Sequence, residues 1–411
     1  MNTRKSALSA AVVMGALVAF VGLPAGMAWA GTGINVPCSG PGGGTAGLVA
    51  AINAANAAGG GTISLAPRCT YTLTAAASSG KMGPNGLPII TTRITIAGAH
   101  STIARSSSDK FRILEVDGPG GNLAASALTI TGGNSDQPGG GVFNNAGTLT
   151  LNSSAVTGNT TSADAGGILN RAGTAVLNGS RVDHNTSGSG GGIASGPGSD
   201  TAPVTGSSLT LNGSRVDHNE AAEGGGEASG GGIANGGTAV LRGSSVDHNS
   251  APGGAGAGIF NHGTMTITGS HITGNTAPAD SAGNDGVVGG IANINFGIPP
   301  SGGSGVLTMS GSTVSGNSAS GFGGGLGNAP DSTATITGSS VSGNSAGGPG
   351  GGVVNFGRLA MTGSRVLDNT AAAGGGIANQ EGGTVTLTGT RVAGNTPDNC
   401  EPPGTITGCT G

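Results

Sequence analysis

The sequence predicts an all-β protein folded as a right-handed parallel β-helix, with about nine regular coils, irregular N-terminal coils and a short capping helix. One unit recurs nine times, at spacings of 24 to 27 residues where it is uninterrupted. Apolar residues alternate with small polar ones inside each unit, which is typical of strands. The 411 residues include 89 Gly, which argues against a helical bundle, and Gly does not recur at every third position as collagen requires.

The repeated unit reads Gly-Gly-Ile-x-Asn, then a turn, then Gly-Thr-x-Thr-Leu-x-Gly-Ser, and finally x-Val-x-x-Asn. Strands this short bury no core alone, but they can stack on the next copy. Because Asn tolerates the left-handed backbone region, we expect it at a bend, and stacked side-chain amides can hydrogen-bond to one another. The first Asn column is Asn144, Asn170, Ser195, Asn235, Asn261, Asn293, Asn328, Asn355 and Asn379, and the second is Asn159, Asn185, Asn219, Asn249, Asn275, Asn317, Asn344, Asn369 and Asn395.

An apolar column in the repeated unit predicts a dry interior. It occupies the second residue of each long strand, where alternate side chains point inward. A second apolar column, from Leu151 to Leu387, lies two residues further along. The first column consists of Leu149, Ala175, Leu209, Ala239, Met265, Leu307, Ala334, Leu359 and Val385.

An amphipathic helix is predicted ahead of the repeats. Leu48, Val49, Ile52 and Ala55 follow Thr45 at helical spacing. A helix here would cap the open end of the interior, because the terminal units of a repeat protein need a cover. Alternating runs that predict irregular opening coils occur at residues 62–65, 70–73, 89–96 and 128–131.

Four cysteines lie near the two ends of the chain and predict disulfides in an oxidising compartment. Four cysteines allow three pairings. The local pairings, Cys38 with Cys69 and Cys400 with Cys409, are favoured because each would close one end of the rod.

The first residues have the pattern of a cleavable secretory signal. Arg4 and Lys5 precede an apolar run from Ala7 to Leu23, and the small-residue sequence Ala28-Trp29-Ala30 follows. We therefore expect a secreted protein, extracellular or associated with the cell surface, with no transmembrane segment after signal removal. The expected divisions are residues 1–30 for the signal, 31–131 for the N-terminal cap and opening coils, 132–396 for the regular coils and 397–411 for a C-terminal cap with a disulfide.

The charge composition excludes one class of partner. Lys and Arg total 15 against 19 Asp and Glu, which gives a net charge of −4. The sequence has no basic patch to neutralise phosphates, so we expect no nucleic-acid partner.

Two stretches resemble known families. Gly166-Gly167-Ile168 and Val182-Asp183-His184-Asn185 resemble repeats of the polymorphic outer-membrane protein family, with Val where that family has Phe. That resemblance implies a surface-adhesin role. Residues 36–74, with Val36-Pro37-Cys38-Ser39 and Gly61-Thr62-Ile63-Ser64-Leu65, are similar to the N-terminal region of secreted bacterial β-helix proteins of the pectate-lyase-like superfamily. This similarity implies the fold, which hosts lyases, hydrolases, adhesins and scaffolds alike.

The most distinctive short motif is Asp-His-Asn, which occurs in three consecutive coils. Stacking would align three imidazoles and three carboxylates about one strand spacing apart, and such a ladder could bind a transition metal. The alternative is a turn role, because other coils place Gly or Asp at the His position and all three residue types tolerate positive φ. The imidazoles are those of His184, His218 and His248.

A second candidate site overlaps the first. Arg181 and Asp183, and likewise Arg215 and Asp217, lie two residues apart on a strand and so share its outer face. Asp247 continues the Asp column. Pectate-lyase-like enzymes use carboxylates that hold Ca²⁺ beside an Arg that acts as base, so the resemblance implies candidate catalytic residues here. The alternative is ordinary surface charge, because Arg recurs in this column of later coils without the Asp.

Two insertions would bring five carboxylates to one edge of the stack. Hard cations take oxygen ligands, so a weak Ca²⁺ site is one interpretation, and solvated Gly-rich loops are the other. No cofactor is certain from the sequence, and Ca²⁺ is the candidate. The carboxylates are those of Glu220, Glu223 and Glu227 in one insertion and of Asp280 and Asp285 in the other.

The long strands also carry a Thr-x-Thr pattern. It makes a face similar to that of ice-binding β-solenoids, although Val176, Val240, Arg358 and Ala360 interrupt it. Thr is also a good residue for exposed strands in general.

The function that these features favour is a secreted scaffold for extracellular binding or adhesion, with glycans or cell-envelope polymers as partners. Aromatic residues make up only 2% of the chain, which argues against a high-affinity cleft that stacks sugar rings, and no pair of carboxylates matches a glycoside hydrolase site. The alternative is a Ca²⁺-dependent pectate-lyase-like polysaccharide lyase. The sequence leaves open whether the protein is an enzyme, and favours a binding role.

Overall fold

The computed structural model describes residues 33–196, 206–222, 229–294 and 304–409. These residues wind into a parallel β-solenoid of about 13 turns, with one α-helix in the described part, so the predicted fold class is confirmed. Equivalent strands of successive coils pair in parallel, one above another. The predicted signal at residues 1–30 lies outside the described residues.

The largest sheet, here the main sheet, contains 23 strands. Each regular coil contributes a five-residue long strand and a three-residue short strand, with a bend between them. The bend is made by a residue of positive φ, such as Gly213 (φ 55°) or Gly243 (φ 53°), because glycine has no Cβ to clash in that region. The strands are Ile34–Val36, Gly60–Leu65, Thr70–Leu73, Arg93–Arg105, Asn122–Thr131, Thr148–Asn152, Ala155–Thr157, Thr174–Asn178, Arg181–Asp183, Ser208–Asn212, Arg215–Asp217, Thr238–Arg242, Ser245–Asp247, Thr264–Thr268, His271–Thr273, Val306–Ser310, Thr313–Ser315, Thr333–Thr337, Ser340–Ser342, Arg358–Thr362, Arg365–Leu367, Thr384–Thr388 and Arg391–Ala393.

Two further faces close the coil. The second sheet has 11 strands, and the third face consists of two-residue strands in one sheet of four and one of three. Within the opening coils, the strands Ser78–Gly80 and Gly83–Asn85 form an antiparallel hairpin. The second sheet is Leu114–Asp117, Val142–Asn145, Ile168–Arg171, Ile193–Ser195, Ile233–Asn235, Ile259–Asn261, Ile291–Asn293, Leu326–Asn328, Val353–Asn355, Ile377–Asn379 and Cys400–Glu401, and the third face is Asn134–Ser135, Thr160–Thr161, Thr186–Ser187, Glu220–Ala221, Thr276–Ala277, Ser318–Ala319 and Ser345–Ala346.

The predicted apolar columns form the core of the solenoid. Leu209 and Met265 are fully buried, as are their neighbours in the coils above and below. Val385 and Leu387 are only partly buried, because they lie in the last regular coil and no full coil follows. The alternation in the sequence therefore identified the inward-facing side chains of the long strands.

Both Asn columns are buried hydrogen-bonded ladders. The Nδ2 atom of Asn185 donates to Asn219 Oδ1 at 2.9 Å and to the Val156 carbonyl at 3.0 Å, and the pattern repeats from coil to coil. The expected left-handed conformation of these Asn residues is wrong. The positive φ belongs to the residue before the second column, such as His184 (φ 53°) or Gly274 (φ 62°), because the bend there turns the Asn side chain inward.

The two ends are covered as predicted. The helix Gly44–Ala57 buries Leu48, Ala51, Ile52 and Ala55 against the first strands. Disulfides join Cys38 to Cys69 and Cys400 to Cys409, so the local pairings are confirmed. No helix among the described residues is both long enough and apolar enough to span a bilayer.

Candidate functional site

The predicted Arg, Asp and His residues come together on the outer face of three consecutive short strands. Arg181–Asp183 pairs in register with Arg215–Asp217, which pairs with Ser245–Asp247. The parallel register stacks like residues, because both partners have the same sequence spacing. We call this surface the Arg–Asp–His row, and it consists of Arg181, Asp183, His184, Arg215, Asp217, His218, Asp247 and His248.

Asp217 is the centre of the row and its side chain is 1% exposed. It accepts hydrogen bonds from Nε and Nη2 of Arg181, both at 3.1 Å. Nε of Arg215 lies 3.2 Å from Oδ1, and Nδ1 of His218 lies 3.0 Å from Oδ2. Burial alone would raise the pKa of Asp217, but the hydrogen bonds from Arg181 and His218 and the charges of both arginines outweigh burial and lower the pKa.

The other two carboxylates are bonded in a similar way. Asp183 lies 3.2 Å from Nε of Arg181 and 2.7 Å from Nδ1 of His184, and it accepts a hydrogen bond from Thr157 Oγ1 at 3.0 Å. Asp247 accepts one from Thr273 Oγ1 at 2.5 Å, and Arg215 Nε lies 3.7 Å away. Each carboxylate of the row is therefore engaged by side chains of its own or an adjacent coil.

The three histidines occupy a strained bend and form a stack. Their φ angles are 53°, 54° and 53°, which is the conformation expected of a turn position that other coils fill with Gly. The rings of His184 and His218 are parallel with centroids 5.2 Å apart, and those of His218 and His248 lie 5.3 Å apart. Buried Asp183 and Asp217 orient the first two imidazoles through Nδ1, so Nε2 is the ring nitrogen that these carboxylates do not contact.

The metal interpretation depends on the distances between imidazole nitrogens. Two nitrogens on one Zn²⁺ lie at most about 4.2 Å apart, given bonds of about 2.1 Å, and the stacked ring centroids are 5.2 and 5.3 Å apart. Within the described ranges, no three His, Cys, Asp or Glu side chains are grouped closely enough to hold a metal. Metal binding by His184, His218 and His248 stays a prediction.

The acidic edge is only partly described. Glu220 lies exposed in the strand Glu220–Ala221, while Glu223 and Glu227 fall outside the described residues. The carboxylate of Asp280 accepts hydrogen bonds from the side chain and backbone of Asn284, and these bonds lower its pKa. The carboxylate of Asp280 is therefore hydrogen-bonded within its own loop. The Ca²⁺ site predicted to include Asp285 stays a prediction.

A cleft of about 280 Å³ adjoins the row at Arg181. It lies at the bend between long and short strands of the preceding coils, and its polar lining includes His100, Thr129, Ser153 and Ser154. His100 has φ 63° and sits in a bulge of the strand Arg93–Arg105, which turns its side chain outward. No repeat pattern marks His100, so this residue could not be predicted from the sequence.

The arginines are donors in this arrangement. A hydrogen bond to Asp217 raises the pKa of Arg181, and the charges of Asp183 and Asp217 add to the effect. A guanidinium that keeps its proton cannot accept one as a catalytic base. The row therefore presents half-exposed guanidinium and imidazole groups beside buried carboxylates, and the catalytic roles of Arg181, Arg215, Asp183, Asp217 and Asp247 stay predictions.

Acid is expected to remove the stability that Asp217 contributes. Because its folded pKa is below the unfolded value of about 3.9, the contribution is present above that pH and is lost as the pH falls through the folded pKa. Urea unfolding of the wild type and Asp217→Asn between about pH 5 and pH 2 checks this. The free energy of unfolding of the variant should fall less steeply, while Asp109→Asn, at an exposed carboxylate, should match the wild type. Equal slopes for all three proteins would contradict the assignment.

Among known proteins, similarity to this chain is found in solved structures. No protein-family model matches the chain, and no curated protein matches it. Among solved structures it is similar to pectate lyase Pel9A, with 15% identity, 88% of this chain and 78% of that chain covered, and a TM-score of 0.40. It is also similar to the A-modules of the Azotobacter vinelandii mannuronan C-5 epimerases AlgE6 (16% identity, 91% and 98% covered, TM-score 0.43) and AlgE4 (14%, 89% and 96%, 0.38).

Proposed function

We propose that the chain is an extracellular scaffold that binds a polysaccharide along the Arg–Asp–His row and in the cleft beside it. The observation that carries the proposal is that the exposed side chains of the row are held in fixed positions. The side chains of Arg181 and Arg215 are 49% and 50% exposed, and those of His184 and His218 are 58% and 47% exposed. Buried carboxylates fix all four, so little side-chain freedom is left to lose on binding.

The spacing of the row suits a ligand that repeats. Successive coils present the same guanidinium and imidazole groups about one strand spacing apart. A polymer of similar sugar units can therefore make the same hydrogen bonds on successive coils, and each linked contact raises the effective concentration for the next. Arg181 also lines the cleft, so one ligand chain can contact both surfaces.

The contacts within the row favour binding over cleavage. The lyase alternative needs carboxylates free to hold Ca²⁺ and an arginine able to accept a proton. Asp183, Asp217 and Asp247 are instead engaged by Arg, His and Thr side chains, and the raised pKa of Arg181 keeps it charged. The disulfides support an oxidising, extracellular location.

Replacing the three histidines of the row by glycine is expected to weaken polysaccharide binding without unfolding the protein. Gly occupies the same bend in other coils, as at Gly158 and Gly274, so the backbone tolerates it. If each imidazole contributes about 1 kcal/mol to the complex, the triple variant should bind roughly a hundredfold more weakly. Binding to a panel of acidic and neutral polysaccharides, measured by calorimetry or affinity electrophoresis, gives the comparison.

Asp368→Gly supplies the matched control, because Asp368 fills the same bend (φ 55°) in a distant coil. This control should bind like the wild type. A triple His variant that also binds like the wild type would remove the row from the site, and a wild type that binds no polymer of the panel would overturn the scaffold proposal. Release of unsaturated uronates with Ca²⁺, lost on adding chelator, would instead establish the lyase alternative.

A further inference from the structure

An array of threonines covers the outer face of the last five long strands of the described residues. The strands Thr264–Thr268, Val306–Ser310, Thr333–Thr337, Arg358–Thr362 and Thr384–Thr388 pair in parallel with no register shift. The first, third and fifth residues of each strand face outward, which gives three columns across five coils. Eleven of these 15 positions are Thr, and the other four are Val306, Ser310, Arg358 and Ala360. We call this surface the Thr array.

The third outward column, formed by the fifth residue of each long strand, distinguishes the Thr array from the Thr-x-Thr pattern, which covers only the first and third residues. Its members are Thr268, Ser310, Thr337, Thr362 and Thr388, whereas earlier coils place Asn or Arg at this position, as at Asn212 and Arg242. Val176 and Val240, which interrupt the pattern, lie in those earlier coils and outside the array. Arg358 and Ala360 share one strand, so four of the five strands carry only Thr, Val or Ser.

Buried ladders hold the array in register. Along one side of these strands the Ser312 amide donates to Ser339 Oγ at 3.1 Å, and the Ser339 amide donates to Ser364 Oγ at 3.2 Å. Beyond them, Asn317 Nδ2 donates to Asn344 Oδ1 at 2.9 Å. Thr itself has few rotamers because it is β-branched. The hydroxyls and methyls therefore form a fixed lattice with spacings of about 4.8 Å between strands and about 6.7 Å along them.

We propose that the Thr array binds ice. A two-dimensional lattice of side chains in unshifted register fits a ligand that is itself a regular lattice. The only charged member is Arg358 and no member is aromatic, so the array offers little to a polyanion or to a stacked sugar ring. Methyl groups order adjacent water, and hydroxyls both donate to and accept from it. The surface of ice supplies ordered, uncharged water at repeat distances of the same order as those of the array.

Ice growth in the presence of the full chain tests the proposal. The wild type should shape ice crystals, separate the freezing point from the melting point and slow recrystallisation. Thr335→Lys, at the centre of the array, should abolish these effects because it places a hydrated charge in the lattice. Thr276→Lys is the matched control, since Thr276 is an exposed strand residue on the third face of the solenoid, and it should retain full activity.

Two outcomes would overturn the proposal: a wild type that leaves ice growth unchanged, or Thr335→Lys and Thr276→Lys variants with equal activity. Thermal melting verifies that the variants are folded, and Thr308→Lys, a second exposed position of the array, replaces Thr335→Lys if that variant is unstable. The array and the Arg–Asp–His row lie on different coils. The triple His variant should therefore keep its ice activity, and this test is independent of polysaccharide binding.

Discussion

Replacing Asn317 with alanine is expected to destabilise the solenoid by about 4 kcal/mol. The side chain is 1% exposed as part of the buried ladder. Its Nδ2 donates to the Ile272 carbonyl and to Asn344 Oδ1, and its Oδ1 accepts from the backbone amide and the side chain of Asn275, all between 2.8 and 3.0 Å. Each bond contributes about 1 kcal/mol, and the substitution also leaves buried partners without hydrogen bonds.

Asn178→Ala is the control for this substitution. Asn178 also stacks on like residues, since it donates to Asn152 at 2.8 Å and accepts from Asn212 at 2.9 Å, but its side chain faces outward and is only half-buried. Water can replace its partners, so the expected cost is below about 1 kcal/mol. Urea unfolding followed by circular dichroism measures both free energies. Equal costs for Asn317→Ala and Asn178→Ala would show that burial of the ladder does not stabilise the fold.

The same ladders explain why the fold could be predicted from the sequence. A buried amide must meet a hydrogen-bond partner in the next coil, and a buried Leu such as Leu209 must meet apolar neighbours. Both columns therefore recur at the same position in every coil. The bend was harder to assign. Positive φ and inward Asn occupy adjacent residues, as in His184 and Asn185, and a sequence column alone does not say which of the two takes the bend.

The candidate site could be predicted only in outline. The spacing of Arg181 and Asp183 placed them on one face, and parallel stacking aligned them with Arg215 and Asp217. The sequence did not show that the Arg181 side chain reaches forward to Asp217 in the next coil, because that contact depends on side-chain direction between coils. The cleft residue His100 lies in a bulge outside the repeat, where no periodicity applies.

The outward-facing side chains of the earlier coils differ in chemistry from those of the later coils. The three coils with an Asp-His pair place Asn or Arg in the third outward position of the long strand, at Asn178, Asn212 and Arg242. The later coils place Thr or Ser there and lose the Asp-His pair. Because the core and the ladders are the same throughout, the outward side chains can differ between coils without a change in the interior.

Glu115→Gln is expected to destabilise the protein by about 3–5 kcal/mol through Arg112, its buried partner. Arg112 is fully buried and Glu115 is 2% exposed, and Nη1 lies 3.3 Å from Oε2. The guanidinium also lies 5.1 Å from the centre of the Phe143 ring and donates to the Met82 carbonyl. Burial lowers the pKa of Arg112 and raises that of Glu115, so each charge is costly in this place unless the other compensates it.

A double-mutant cycle measures this dependence directly. Arg112→Met should be as costly as Glu115→Gln, because it leaves the carboxylate with only Asn85, which donates at 2.9 Å. The double variant removes both charges, so it should cost much less than the sum of the two single variants. Additive costs in urea unfolding would mean that neither charge depends on the other. A large coupling would instead show that each buried charge stabilises the fold only when the other is present.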